Sequence, residues 1–259
     1  MPVDRGLDIQ ASFHPLGFRY GEDMFGPEPE LRRLDAIRAS LRNPDCDGPD
    51  PVYAIAMDVG HPRHREELER RNLLFGVVAY AAGRLGDEPV RSQGHVHRVS
   101  PFSGWSTPEI FEIWQGRALI YMQERADDDP GRCVVIDAHP GDRVIVPPSW
   151  AHAVISAGAR KPLVFGAWCD RDYGFLYDGV RAHGGLAWFP LLDEGSRIVW
   201  TANPQYRPGE LIVRPARKYP ELALDATIPL YDHLEQKPDA IQWVSRPDFL
   251  RDLWPRFEP

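Results

Sequence analysis

In Gly94-His95-Val96-His97 the two histidines are separated by one residue, and on a β-strand that spacing turns both imidazoles to the same face. Two neutral imidazoles so placed can share a divalent cation. The run Glu109-Ile110-Phe111-Glu112-Ile113-Trp114-Gln115-Gly116 alternates as a strand does. It sets Glu109, Phe111 and Ile113 on one face against Ile110, Glu112 and Trp114 on the other, so only one of its two acids can point inward. Further on, Pro140-Gly141-Asp142 reads as a turn and Arg143 to Val146 as a strand. The reversal Pro147-Pro148-Ser149-Trp150-Ala151 then delivers His152 at the start of another strand. Three neutral imidazoles and one carboxylate suit iron, manganese, nickel, cobalt or zinc, and leave positions open for substrate oxygens. The ligand types alone do not choose among these metals.

The elements that must position these groups are short and apolar. Val52 to Val59, Leu73 to Ala81, Ile110 to Trp114, Ala118 to Gln123, Cys133 to Asp137, Arg143 to Val146, Ala153 to Ser156 and Leu163 to Trp168 are bounded by turn residues. So many segments at close spacing imply a barrel or sandwich, and 22 Gly and 26 Pro spread along the chain fit strands joined by turns. Leu31, Leu34, Ile37 and Leu41 recur at helical spacing between Pro27 and Asn43, which predicts one N-terminal helix. The charged run Arg63 to Arg71 reads as a solvated helix or hairpin. After Asn203 the chain becomes Pro-rich with isolated aromatics, as in an extension wrapped on the barrel. The predicted organisation is an N-terminal helix and arm over 1–50, a barrel over 51–202 and a packed extension over 203–259.

Bulk properties exclude several classes. With 30 Lys and Arg against 38 Asp and Glu, the formal charge of −8 argues against a nucleic acid or anionic membrane partner. An anionic substrate would require a locally basic pocket. Cys46, Cys133 and Cys169 show no paired spacing, so neither a disulfide framework nor a thiolate metal site is indicated. Met1 to Gln10 lacks a secretory apolar stretch and no later run approaches a membrane span, so a cytoplasmic protein is expected. No glycine-rich phosphate loop is present.

Glu109 to Gly116 and Pro140 to His152 resemble the two sequence motifs of the cupin superfamily. That resemblance implies an all-β, double-stranded β-helix barrel in which Glu109 joins His95, His97 and His152 on the metal. Within the superfamily the chain looks most like the cupin-type glucose-6-phosphate isomerases. Gly83 to His95 is similar, without a gap, to that family's lead-in, with Ser92 where threonine is usual. Pro147-Pro148-Ser149-Trp150-Ala151-His152 and Asp172-Tyr173-Gly174 are close to two further family motifs. One departure stands out: eleven residues, Arg98 to Pro108, separate His97 from Glu109, more than the family's spacing. The insert carries Phe102, Gly104 and Trp105 and is expected to narrow or reshape the pocket. A second departure is Val77-Val78-Ala79, where the family's phosphate end uses small hydroxyl residues.

The resemblance implies an aldose-ketose isomerase of glucose 6-phosphate, with Glu109 either relaying the C2 proton or only ligating the metal. Ser92, the Gly94 backbone, Arg171 and Tyr173 are the candidate contacts at the phosphate end, with Tyr80 and Tyr173 as hydroxyl donors. An isomerase or epimerase of another sugar, a cupin dioxygenase and a non-catalytic sugar binder are the competing readings. A homodimer is expected by fold analogy.

Overall fold

The computed structural model describes residue 3, residues 5–158 and residues 160–259, so Met1, Pro2 and Asp4 of the stretch read for a signal lie outside the described residues. Every apolar segment singled out above is a strand. The barrel strands are β1 (Glu30–Arg32), β2 (Tyr53–Met57), β3 (Leu73–Tyr80), β4 (Glu109–Gln115) and β5 (Ala118–Gln123). They continue as β6 (Cys133–Ala138), β7 (Arg143–Val146), β8 (Ala151–Ser156), β9 (Leu163–Asp170) and β10 (Leu211–Pro215). One sheet has the order β7-β4-β9-β3-β2-β1 and the other β8-β5-β6-β10. Within these sheets all pairings are antiparallel except that of β10 with β6. Bridges from His95 to His152 and from Arg91 to Ile155 stitch the segment ahead of β4 onto β8.

Three apolar layers explain why the strands read as nearly continuous hydrophobic runs rather than simple alternations. Phe111, Ile113, Ile120, Val134, Val144 and Phe165 fill the space between the sheets. Phe75, Trp114 and Trp168 cover the outer face of the first sheet. Tyr121, Val135 and Ile155 lie on the outer face of the second, under Val180, Leu186 and Tyr206. All eight positions of β9 are consequently buried.

The predicted N-terminal helix is absent. Glu30–Arg32 is β1, paired with β2, and two 3-10 turns follow at Leu34–Ala36 and Arg38–Ser40. Leu34, Ile37 and Leu41 are buried as their spacing requires, whereas Leu31 is exposed. Steps of three and four residues are met equally by consecutive turns closed by i to i+3 bonds, here Ile37 N–H to Leu34 O and Ser40 N–H to Ile37 O. An additional hairpin, Ile9–Phe13 with Leu16–Tyr20, precedes this segment. The charged run Arg63 to Arg71 forms a 3-10 turn and the short helix Arg65–Arg70, with Leu68 turned inward. No helix among the described residues is long and apolar enough to cross a membrane.

The segment after Asn203 both joins the barrel, through β10, and wraps it. Prolines opening 3-10 turns at Pro220, Pro238 and Pro247 break it into short pieces whose aromatics face the first sheet. Tyr231 stacks on Trp168 with ring centroids 5.5 Å apart, and Trp243, Trp254 and Phe257 complete the layer. Glu112 fastens the wrap. Its carboxylate receives Arg143 Nε at 3.0 Å, Leu230 N–H at 3.1 Å and Trp114 Nε1 at 3.2 Å, all on the outer face. Burial raises its pKa, an effect only partly offset by Arg143. Removing one partner of such a pair strands the other charge. Glu112→Ala is therefore expected to lower the unfolding free energy by about 3–5 kcal/mol in denaturant titrations, with metal stoichiometry unchanged.

Candidate metal centre

Alternation along β4 sends Glu109 into the barrel and Glu112 out of it, as the strand periodicity requires. His152 is the second residue of β8, directly across from His95. The two exchange backbone hydrogen bonds, His95 N–H to His152 O at 3.1 Å and His152 N–H to His95 O at 2.9 Å. The turn ahead of β8 holds Ser149 at φ 69°, and Gly94 ahead of His95 is at φ 90°, a region that suits glycine. A Cβ at Gly94 would also meet the Leu186 side chain at 2.9 Å.

One donor atom from each of His95, His97, Glu109 and His152 lies within 4.8 Å of the others. Imidazole centroids are 4.3 Å apart for His95 and His152 and 5.0 Å for His97 and either neighbour. The rings are oriented from behind. His97 Nδ1 donates to Thr107 O at 2.8 Å and His152 Nδ1 to Trp150 O at 3.2 Å, because a carbonyl can only accept. Their Nε2 lone pairs are thereby left to face the centre. Nε2 of both His95 and His152 is buried without a hydrogen-bond partner, which fits a donor set made for a cation.

Electrostatics support the same reading. Burial, reinforced by the neighbouring imidazoles, holds His95 well below the usual histidine range, and burial also lowers His152, so both are neutral and able to ligate. For His97 burial is outweighed by the nearby carboxylate of Glu109, and its pKa rises. Burial alone would raise the Glu109 pKa, but the facing His152 and His97 rings overcome it and keep the carboxylate ionised. Glu109 Oε2 lies 3.4 Å from His97 Nε2 and 3.5 Å from His152 Nε2. Oε1 instead accepts the Cys169 thiol at 3.0 Å, fixing the plane of the carboxylate. Losing such a supporting contact typically weakens metal binding 10–100-fold. Cys169→Ala is expected to do so in chelator-competition titrations, and Cys169→Ser to recover most of the loss.

The insert Arg98 to Pro108 braces His97 instead of narrowing the pocket. Ser106 Oγ donates to His97 O at 2.6 Å and accepts Ser149 N–H at 3.0 Å, tying the insert to the turn before His152. Phe102, Gly104 and Trp105 do not line the pocket; Phe102 is exposed, and Trp105 packs toward the outer layer. Ser100 Oγ donates to Asp170, which also receives Asn72 Nδ2 and Asp172 N–H. Burial pushes the Asp170 pKa up to about 6. An acid raised on folding binds more protons folded than unfolded, so stability is lost as pH rises through that value. Between about pH 4 and 7 the wild type should lose stability on this account, and Asp170→Asn should flatten the pH dependence of the denaturation midpoint.

The pocket above the centre is lined by His95, Glu109 and His152, by Tyr53, Tyr80, Ser92, Gln93 and Tyr177, and by apolar walls that include Ile55, Val78, Phe111 and Phe165. Of the residues expected to contact substrate, Tyr80 and Ser92 are in this lining, and Gly94 adjoins it in the chain. Arg171 is not in the lining: it forms a two-pronged ion pair with Asp58, at 3.0 and 2.8 Å. Tyr173 is 37% exposed and rests against Phe175, also outside the lining. The sequence reading missed Tyr53, Gln93, Phe175 and Tyr177. Phe175 and Tyr177 follow Tyr173 at alternate positions, a pattern that could have pointed to them, and the Phe175 ring lies 4.4 Å from that of His95.

A two-sheet β barrel with three imidazoles and a carboxylate converging inside it defines a cupin with a metal-ligating donor set. The chain belongs to the glucose-6-phosphate isomerase family, whose model, described as Glucose-6-phosphate isomerase (GPI), matches residues 33–207. It is 29% identical over 156 residues to the glucose-6-phosphate isomerase of Thermococcus litoralis, covering 60% of this chain and 71% of that protein. Identity to the Thermococcus kodakarensis glucose-6-phosphate isomerase is 23% over 217 residues, covering 80% of this chain and 97% of that one. The glucose-6-phosphate isomerase of Sinorhizobium medicae is 29% identical over 124 residues, 48% of this chain and 53% of that protein.

Proposed function

We propose that the protein is a metal-dependent aldose-ketose isomerase that interconverts glucose 6-phosphate and fructose 6-phosphate. The observation that carries this reading is the convergence of His95, His97, Glu109 and His152 on one another, three of them lining one pocket, in a chain of this family. These four residues would hold one divalent ion, which when bound supplies Lewis-acid polarisation of a carbonyl oxygen.

The chain's own residues favour transfer of hydrogen within the substrate. One Glu109 oxygen is turned to the imidazoles and the other accepts the Cys169 thiol, so the carboxylate serves as ligand and not as proton relay. Burial raises the pKa of Tyr80, Tyr53 and Tyr177, which therefore stay protonated and act as hydrogen-bond donors to sugar oxygens. Among the described residues lining the pocket no other carboxylate is present. Hydride then passes from C2 to C1 of the open-chain sugar while the proton of the C2 hydroxyl moves to the C1 oxygen. Apolar walls keep water away from the transferring hydrogen.

The test is conversion of glucose 6-phosphate by the purified, metal-loaded protein in deuterium oxide. Fructose 6-phosphate without solvent deuterium at C1 is expected, and Glu109→Gln should lower kcat/KM by at least about 100-fold along with metal content. Deuterium-labelled product would overturn the hydride route, and absence of any ketose would overturn the isomerase reading.

A further inference from the structure

Among the described residues, two buried N–H groups beside the pocket, Gln93 Nε2 and Arg32 Nε, have no hydrogen-bond partner and are not accounted for by a metal. Gln93 is 1% exposed and lines the pocket. Its amide orientation is set by Arg181, whose Nε donates to Gln93 Oε1 at 2.9 Å, so the unpartnered end is the donor. Arg32 stands directly opposite Tyr53 across the β1–β2 pair, and Tyr53 is in turn opposite Tyr80 on β3. Residues opposite one another in antiparallel strands share a face, so Arg32 projects on the side of the two tyrosines that line the pocket. Its side chain is 17% exposed, and among the described residues its ion pair is with Glu30 at 2.7 Å, a carboxylate that is 64% exposed.

These groups form one rim. Arg181 lies over the Tyr177 ring, 4.9 Å from its centroid, and its Nη2 reaches Ala36 O, just beyond β1. Two guanidinium groups against one exposed carboxylate make the rim locally cationic in a chain whose formal charge is −8. Of the other arginines near this end, Arg171 holds Asp58 through both Nη atoms, though its Nε is likewise without a partner among the described residues, and Arg98 reaches Asp172 O. Val78 presents no hydroxyl to the pocket.

We propose that Arg32 and Gln93 are the specificity-determining residues of this pocket, receiving the phosphate group of a phosphomonoester sugar through Arg32 Nε and Gln93 Nε2. Arg32 supplies a charged donor, Gln93 a neutral one, and Arg181 positions Gln93. The Arg32 and Glu30 pair opens toward solvent, so an incoming phosphate can take the place of Glu30. This assignment rests on the sugar-phosphate isomerase reading for its substrate, and on the unpartnered donors for its location.

The test compares binding of fructose 6-phosphate, fructose and inorganic phosphate to metal-loaded wild type, Arg32→Met, Arg32→Lys and Gln93→Met by calorimetry, with metal content measured for each. Arg32→Met is expected to weaken fructose 6-phosphate binding on the order of 10–100-fold and Gln93→Met roughly three- to tenfold, both leaving fructose binding and metal content as in wild type. KM should rise with kcat largely retained, and Arg32→Lys should recover part of the affinity. Wild-type affinity for fructose 6-phosphate in Arg32→Lys and Gln93→Met, or in a folded Arg32→Met, would overturn the assignment while leaving the isomerase reading intact. Arg32-dependent binding of inorganic phosphate by a wild type that converts no sugar phosphate would support the anion site and remove the isomerase reading. A wild type that binds neither phosphate nor fructose 6-phosphate would remove both.

Discussion

The rest of the structure is arranged around the burial of an ionised carboxylate among three imidazoles inside an apolar barrel. A lone buried carboxylate would be protonated or expelled, because its desolvation exceeds what a nonpolar cavity returns. Glu109 remains ionised because His97 and His152 face one oxygen and the Cys169 thiol the other. Each of those groups is in turn fixed by backbone: His97 by Thr107 O, His152 by Trp150 O, Cys169 by its place in the sheet beside β4. The reciprocal hydrogen bonds between His95 and His152 close the barrel at the same level, so closure and assembly of the donor set are one event.

Strand periodicity distributes polar groups between layers. Along β4 the inward Glu109 belongs to the centre, while the outward Glu112 holds Arg143 and the Leu230 backbone. Two acids three residues apart thus do unrelated work because a strand turns them to opposite faces. The outer acid secures the Pro-rich wrap that keeps Trp168 and Phe75 dry. That wrap seals the back of the sheet whose front forms the apolar walls of the pocket.

The barrel strands and the three histidines were legible in the sequence through local rules, namely alternation, turn residues and spacing within a strand, whereas the choice of Glu109 over Glu112 came from the resemblance to the cupin motifs. Where local rules admit two answers the sequence was ambiguous. Leu34, Ile37 and Leu41 mark the buried side of their segment equally well for a helix and for 3-10 turns, and only the pairing of Glu30–Arg32 with β2 decides. Contacts across long separations were not legible at all. Arg171 has the right chemistry for an anion and follows a strand, yet Asp58, 113 residues away, takes both prongs of its guanidinium. Arg32 gains its place at the pocket only from cross-strand register with Tyr53.

The insert between His97 and Glu109 shows why a longer loop beside a site need not reshape it. Its ends are drawn together by the antiparallel bridge between Val99 and Ser106, and its turn closes on itself through Ser100 N–H to Trp105 O and Gly104 N–H to Ser100 O. Ser106 then fastens it to the turn before His152, and Asp170 holds Ser100 from the opposite side. Added residues that form their own hydrogen bonds carry a small loop-closure cost, and here they supply Thr107 O to orient His97. The residues of the proposed anion site lie instead on strand faces and beside the pocket: Gln93 in its lining near Val78, Arg181 bound to Gln93, and Arg32 across from Tyr53. The proposed anion site therefore depends on the register of β1 against β2 and on the contact of Arg181 with Gln93, both remote in sequence from the insert.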